Sequence, residues 1–237
     1  MFRKSRLLAV LAIVGFFSVA ALAEDSNPRV MFLMGGSFVK GARTFAVNGD
    51  NFRSEYASGG KASLRGAFNI RPHFAIEPSY SFGTNNLRVS DLSESPIVQR
   101  AFGVRMSQFG ANVLAYANDS QSRLRFFGTF GVGLLRFSPT KEAKQAAAVN
   151  FIDDPATIRA SNSMAFNFGA GVEAPLTQQF GLRFDLRDHL SSLPKYGVPQ
   201  TSSAPGASFY PVDGRAQNIE LTIGVVFYLS PNRSARY

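Results

Sequence analysis

The chain has 237 residues, with 25 Lys and Arg against 16 Asp and Glu, and a formal net charge of +9. It contains no cysteine, which excludes disulfides, thiolate metal sites and the kind of small secreted fold that disulfides hold together. The basic residues are scattered instead of forming a run, so nucleic acid is not an implied partner.

Arg3, Lys4 and Arg6 precede an apolar run from Leu7 to Ala21, and Ala21-Leu22-Ala23 is followed by Glu24 and Asp25. A basic start, a short apolar stretch and a small-x-small site predict a secretory signal peptide over residues 1–23, cut after Ala23. The apolar run is short beside the ~20 residues of a spanning helix. Losing three cations takes the formal charge from +9 to +6 and leaves residues 24–237 as a single domain.

Beyond that point no stretch is long and apolar enough for a transmembrane helix, and what recurs is period two, the mark of half-buried strands. RVMFLMGGSFV is apolar on both faces at first, so a strand is predicted there and its facing left open. KASLRGAFNI sets Leu64, Phe68 and Ile70 against Lys61, Ser63, Arg65 and Asn69, and FAIEPSYSF sets Phe74, Ile76, Tyr80 and Phe82 against Glu77, Ser79 and Ser81. QRAFGVRMSQFGANVLAYA changes phase between Met106 and Phe109, which predicts a bulge near Ser107 or Gln108. LRFFGTFGVGLL places Arg125 among Thr129, Gly131 and Gly133; MAFNFGAGVEA places Glu173 in line with Asn167, Gly169 and Gly171. FGLRFDLRD alternates Leu182, Phe184 and Leu186 with Arg183, Asp185 and Arg187, and the last strand alternates Ile219 to Leu229 with Glu220, Thr222 and Gly224.

Eight strands follow, joined by connections that alternate strictly: longer ones at 40–58, 84–98, 138–163 and 190–216, short ones at 71–73, 117–122 and 175–179. All the longer connections therefore lie at one end, and both termini at the other. With strands of about 9 to 11 residues this predicts an all-β fold, an eight-stranded antiparallel up-and-down transmembrane β-barrel. Lipid offers a sheet edge no hydrogen-bond partner, so a spanning sheet must close. A soluble lipocalin-type barrel would also alternate, with its apolar face inward. The large apolar side chains on one face and Gly, Ala, Ser and charge on the other favour the lipid-facing case.

An arginine turned to lipid costs about 2 to 4 kcal/mol near the midplane, and that cost fixes which parity points inward. The predicted interior then holds Lys61, Arg65, Arg125, Arg183 and Arg187 against Glu77, Glu173, Asp185 and Glu220. Unpaired charges in so narrow a space are expensive, so these groups are expected to bridge one another and plug the barrel. Pairing Ala174 with Phe180 across the short turn would set Gly171 opposite Arg183 and Gly169 opposite Asp185.

The run GAFNIRPHFAIEPSYSFG, residues 66–83, resembles the strand-turn-strand hairpin of the OmpA-like and OmpX-like family of small outer-membrane barrels. Thr222, Gly224, Phe227 and Leu229 are similar to the terminal signal by which the barrel-assembly machinery recognises such proteins, although SPNRSARY follows Leu229 here and the chain has no Trp. The resemblance covers the barrel part of that family. It implies a bacterial outer-membrane protein with periplasmic termini, embedded in outer-membrane lipid and lipopolysaccharide, and a non-enzymatic structural or surface role through its long loops. An alternative is a narrow channel for small or hydrophobic solutes, as OmpW-like barrels suggest.

His189 and Ser191, two apart and so on one strand face, weakly resemble the His-x-Ser-Asn motif of lipid A deacylase barrels, a nucleophile and base pair. Ser192 stands where that motif has Asn, and His189 shares the interior parity of Arg187. A histidine at the rim, where strand becomes loop, is the simpler reading. The interior carboxylates are matched by arginines, as structural ion pairs would be. Asp153-Asp154 and the lone His73 do not make a metal site, no phosphate-binding glycine loop opens a helix, and no cofactor is implied. KEAKQAAAV, residues 141–149, has the composition of a short helix.

Overall fold

The computed structural model describes residues 27–40, 42–47, 50–92, 96, 98–119, 122–150, 158–198, 200–201 and 214–230. The predicted signal peptide lies outside them, as do Asp153 and Asp154. The elements are β1 (Arg29–Lys40), β2 (Arg43–Val47), β3 (Asp50–Tyr56), β4 (Gly59–Arg71), β5 (Phe74–Asp91), β6 (Val98–Tyr116), β7 (Arg125–Pro139), α1 (Lys141–Asn150), β8 (Ser161–Pro175), β9 (Phe180–Ser192) and β10 (Arg215–Tyr228). β1, β4 and β5 to β10 form the predicted eight-stranded antiparallel barrel. β1 seals against β10 from Arg29↔Tyr228 to Lys40↔Gln217, and β5 against β6 from Phe74↔Ala115 to Asp91↔Val98, so the eight strands close on themselves.

Alternation sorts the side chains as the cost of burying charge in lipid demands. Phe74, Phe82, Phe126, Phe130, Leu182, Phe184 and Ile223 are turned outward and exposed, while Glu77, Glu173, Asp185 and Glu220 are at most 1% exposed. The open facing of β1 is settled by Met31 and Leu33, which are fully buried inside, with Phe32, Met34 and Phe38 outside. Both faces of this strand read as apolar because its inward residues fill an apolar layer with Ala67, Ala75, Leu114, Phe127 and Val226 near the terminal end of the barrel.

Three expectations are corrected. β6 carries no bulge: it pairs without a break from Val98 to Ala115 on one side and from Val104 to Tyr116 on the other. The change of phase reflects a change of surroundings. Val104 and Met106 point inward, into a second apolar layer with Leu87, Leu135, Phe137 and Tyr196 near the long-connection end. The one register shift in the β4–β5 hairpin lies between Asn69 and Arg71.

The β8–β9 turn is shifted by two residues from the predicted pairing. Ala174 lies opposite Leu182, so Glu173 faces Arg183, Gly171 faces Asp185 and Gly169 faces Arg187. A shift by two preserves parity, so the interior set is unchanged while each partner moves by one pleat.

The connection predicted at 40–58 contains the β2–β3 hairpin. β3 pairs with the far end of β5, Phe52↔Asp91 to Tyr56↔Leu87, where β4 leaves off at Gly60↔Thr84. β5 and β6 accordingly run to 18 and 19 residues, well past the 9 to 11 that a bilayer requires. The helix expected at 141–149 is present as α1. Thr140 caps it, its Oγ1 accepting from Ala143 N at 3.2 Å, and Thr140 N donates to Gly103 O at 2.9 Å, tying the helix start to β6.

Candidate functional site

The interior is built in layers, and its centre is ionic. β9 supplies Arg183, Asp185 and Arg187 from successive inward positions, β4 supplies Arg65 and β5 supplies Glu77. Asp185 accepts from all three guanidiniums: Arg65 Nη1 at 2.9 Å, Arg183 Nη2 at 2.8 Å and Arg187 Nε at 2.7 Å. Glu77 meets Arg183 Nη2 at 2.7 Å and Arg187 Nη2 at 2.8 Å. Two carboxylates thus hold three guanidiniums across the bore, and all five side chains are at most 4% exposed.

Amides carry this cluster onto the flanking strands β6 and β8. Asn112 Nδ2 donates to Glu77 Oε1 at 3.0 Å, and Asn167 Nδ2 donates to Asn112 Oδ1 at 2.9 Å. Gly131 makes room for this: a Cβ there would stand 2.0 Å from Asn112 Oδ1. Above the centre, Lys61 bridges Glu220, His189 Nε2 lies 3.1 Å from the same carboxylate, and Gln108 Nε2 lies 3.0 Å from His189 Nδ1. Asn218 Nδ2 donates to Glu220 Oε1 at 2.9 Å and accepts on Oδ1 from Ser37 at 2.8 Å.

Below the centre, Glu173 takes Arg29 Nε at 3.3 Å and the Tyr228 hydroxyl at 3.0 Å, and Arg29 also donates to Tyr116. Arg125 lies in this layer too, but it has no carboxylate within ion-pair distance among the described residues. Its guanidinium stacks 3.7 Å from the Tyr116 ring centroid instead. Arg183 stacks in the same way on Phe127, at 4.1 Å, and a Cβ on Gly171 would stand 2.3 Å from Phe127 Cζ.

All nine predicted interior charges therefore lie inside, eight of them in ion pairs. Asn167 and Tyr228 stand on the interior parity that alternation gave them, whereas Arg29 was missed, because β1 showed no polar face to align it with, as were the neutral members Gln108, Asn112, Tyr116 and Asn218. Their inward parity was the available signal, masked in β6 by the apparent change of phase. His189 is inside the wall and not at a rim: it is 5% exposed and both ring nitrogens face side chains other than Ser191. In the predicted assembly signal, Thr222 and Gly224 lie on the interior parity, with Thr222 buried, while Phe227 and Leu229 are exposed on the lipid parity. No group of His, Asp and Glu suited to a metal ion occurs among the described residues.

Two cavities of about 10 Å³ each lie beside Lys61 and Gln108, one reaching toward Met106 and Leu135, the other toward Asn167 and His189. Such a volume is close to the least that holds one water. The chain after β9 turns back through Tyr196 and Gly197, both at positive φ (51° and 74°), and Tyr196, 4% exposed, packs on the upper apolar layer with its hydroxyl 2.6 Å from that of Tyr56.

The backbone is similar to those of solved outer-membrane barrels. Neisserial surface protein A superposes with a TM-score of 0.52 at 13% identity, over 86% of this chain and 98% of that one. The outer membrane protein OprG from Pseudomonas aeruginosa gives 0.51 at 10% identity, over 85% and 96%. At such identities the likeness is one of fold alone. No curated protein matches the chain significantly in sequence. The sequence model of the outer membrane protein beta-barrel domain matches residues 9–230, nearly the whole chain, which therefore belongs to that family of outer-membrane barrels.

Proposed function

We propose that this outer-membrane barrel is a closed, non-enzymatic wall element: its interior is plugged by ion pairs, and its long connections face outward to meet surface partners. The cluster of Asp185 and Glu77 with Arg65, Arg183 and Arg187 is the observation that carries the reading. A solute path would have to separate several buried ion pairs, and breaking even one by losing a partner costs about 3 to 5 kcal/mol. The apolar layer under Tyr196 supports the same conclusion from the other end. Residues 1–23 act in this reading as the export signal, both termini stay periplasmic, and Thr222, Gly224, Phe227 and Leu229 guide assembly. His189 serves as a wall residue held by Glu220 and Gln108, so no hydrolytic pair with Ser191 is proposed.

Planar-bilayer recording tests the plug. Purified protein should give no reproducible steady conductance, whereas the Arg65→Ala, Arg187→Ala double variant, if it still folds, should give measurable openings. Large, reproducible conductance from the unaltered protein would replace this reading with that of a channel.

A further inference from the structure

The outward face is apolar up to one level and then turns cationic on two adjoining strands. Phe109 of β6 faces Leu134 of β7, and Leu134 faces Met164 of β8; all three are exposed. One pleat further toward the long connections, about 7 Å along the strand, Leu134 gives way to Arg136, opposite Ser107; the next level brings Arg105, opposite Ser138. Both arginines are exposed, share the lipid-facing parity, and lie diagonally across one strand pair, close enough to hold one anion between them. α1 begins directly beyond, adding exposed Lys141 and Lys144, with Glu142 as the one acid. None of the four cations makes an ion pair within 4 Å among the described residues, although Glu142 is near enough to interact electrostatically with Arg105 and Lys141. Arg88, on the neighbouring β5, differs in facing Glu55 across the β3–β5 pair.

Exposed guanidiniums at the border of an apolar belt match a lipid whose acyl chains lie along the belt and whose head group is anionic. We propose that Arg105 and Arg136 bind the phosphate of a phosphorylated glycolipid of the outer leaflet, with Lys141 and Lys144 widening the positive field. Serines opposite each arginine leave the guanidiniums uncrowded, and phosphate accepts from them by charge-assisted bonds. The inference rests on the outward placement of the long connections proposed above.

The test is a titration of the detergent-purified full chain with diphosphoryl lipid A, read by native mass spectrometry, beside the same lipid stripped of phosphate. Expected are phosphate-dependent binding, a loss of about tenfold or more in Arg105→Gln, Arg136→Gln, a gain in Glu142→Gln, and no change in Lys195→Gln. Equal binding of the two lipids, or binding to a soluble sulfated glycan in place of lipid A, overturns the site, as does full affinity in the double variant. Should the double variant not fold, phosphate dependence and the Glu142→Gln gain still decide. Detergent binding does not depend on orientation, so that premise is tested apart, by labelling Lys141→Cys on intact cells with an impermeant reagent: absence of labelling overturns the placement and leaves the binding result standing.

Discussion

At the scale of single residues, the interior is held by imbalance as much as by pairing. Asp185 is approached by three guanidiniums, so neutralising it strands more charge than removing any one arginine. Asp185→Asn keeps the shape and is expected to cost about 3 to 5 kcal/mol, lowering the temperature at which the compact band on an unboiled gel disappears. Arg65→Met, which leaves Asp185 with Arg183 and Arg187, should lower it by distinctly less; an equal effect would mean that the cluster is not organised around Asp185. Glycine positions give a steric counterpart. Gly171→Val would drive a side chain into Phe127, on which Arg183 stacks, whereas at Gly128 the nearest atom to a new Cβ is 4.0 Å away. Gly171→Val should therefore abolish or strongly reduce the folded band, and Gly128→Val should leave it.

At the scale of elements, strand number, alternation and loop order could be read directly because each follows from a period of two and the cost of charge in lipid. What could not be read was what depends on a third neighbour. β6 shows this best. Phe102, Val104 and Met106 seemed to call for the lipid face, and only the apolar layer supplied by Leu87, Leu135 and Phe137 from other strands makes them interior. The same holds for Arg29, whose inward direction is set by Glu173 from β8 and Tyr116 from β6, and for the β8–β9 register, which a shift by two leaves invisible to parity. The interior charges were legible since no other environment tolerates them; of the neutral amides only Asn167, in line with Glu173, could be placed, since Asn and Gln are at home in many places. The uninterrupted β6 is open to direct test because the chain has no cysteine of its own. Spin labels at Val104→Cys and Met106→Cys should be shielded from lipid-dissolved oxygen, and labels at Phe109→Cys and Val113→Cys exposed to it. Oxygen access at all four would restore the bulge.

At the scale of the whole molecule, one ten-stranded sheet does not keep to one solvent. The barrel closes through β1–β10 and β5–β6, and its outward face is apolar; β3 pairs along the end of β5, β2 pairs with β3, and the two carry Arg43, Arg53 and Glu55. Arg53 and Glu55 meet at 3.5 Å while remaining substantially exposed, an arrangement worth little to stability. The barrel's closure and its interior pairs do not pass through this hairpin, although Tyr56 leans on Phe137 and Tyr196 at the mouth. Replacing residues 41–58 by a short turn should therefore keep the heat-dependent gel shift and lower its midpoint, since the β3–β5 ladder and the contacts of Tyr56 are lost while the barrel's closure and its interior ion pairs stay in place. Because the same excision uncovers Tyr196, it should also raise access of small impermeant reagents to a cysteine placed at Leu135. A chain that no longer folds after the excision would mean that the extension of β5 nucleates the barrel, and the boundary drawn here between wall and surface would have to move up the strand.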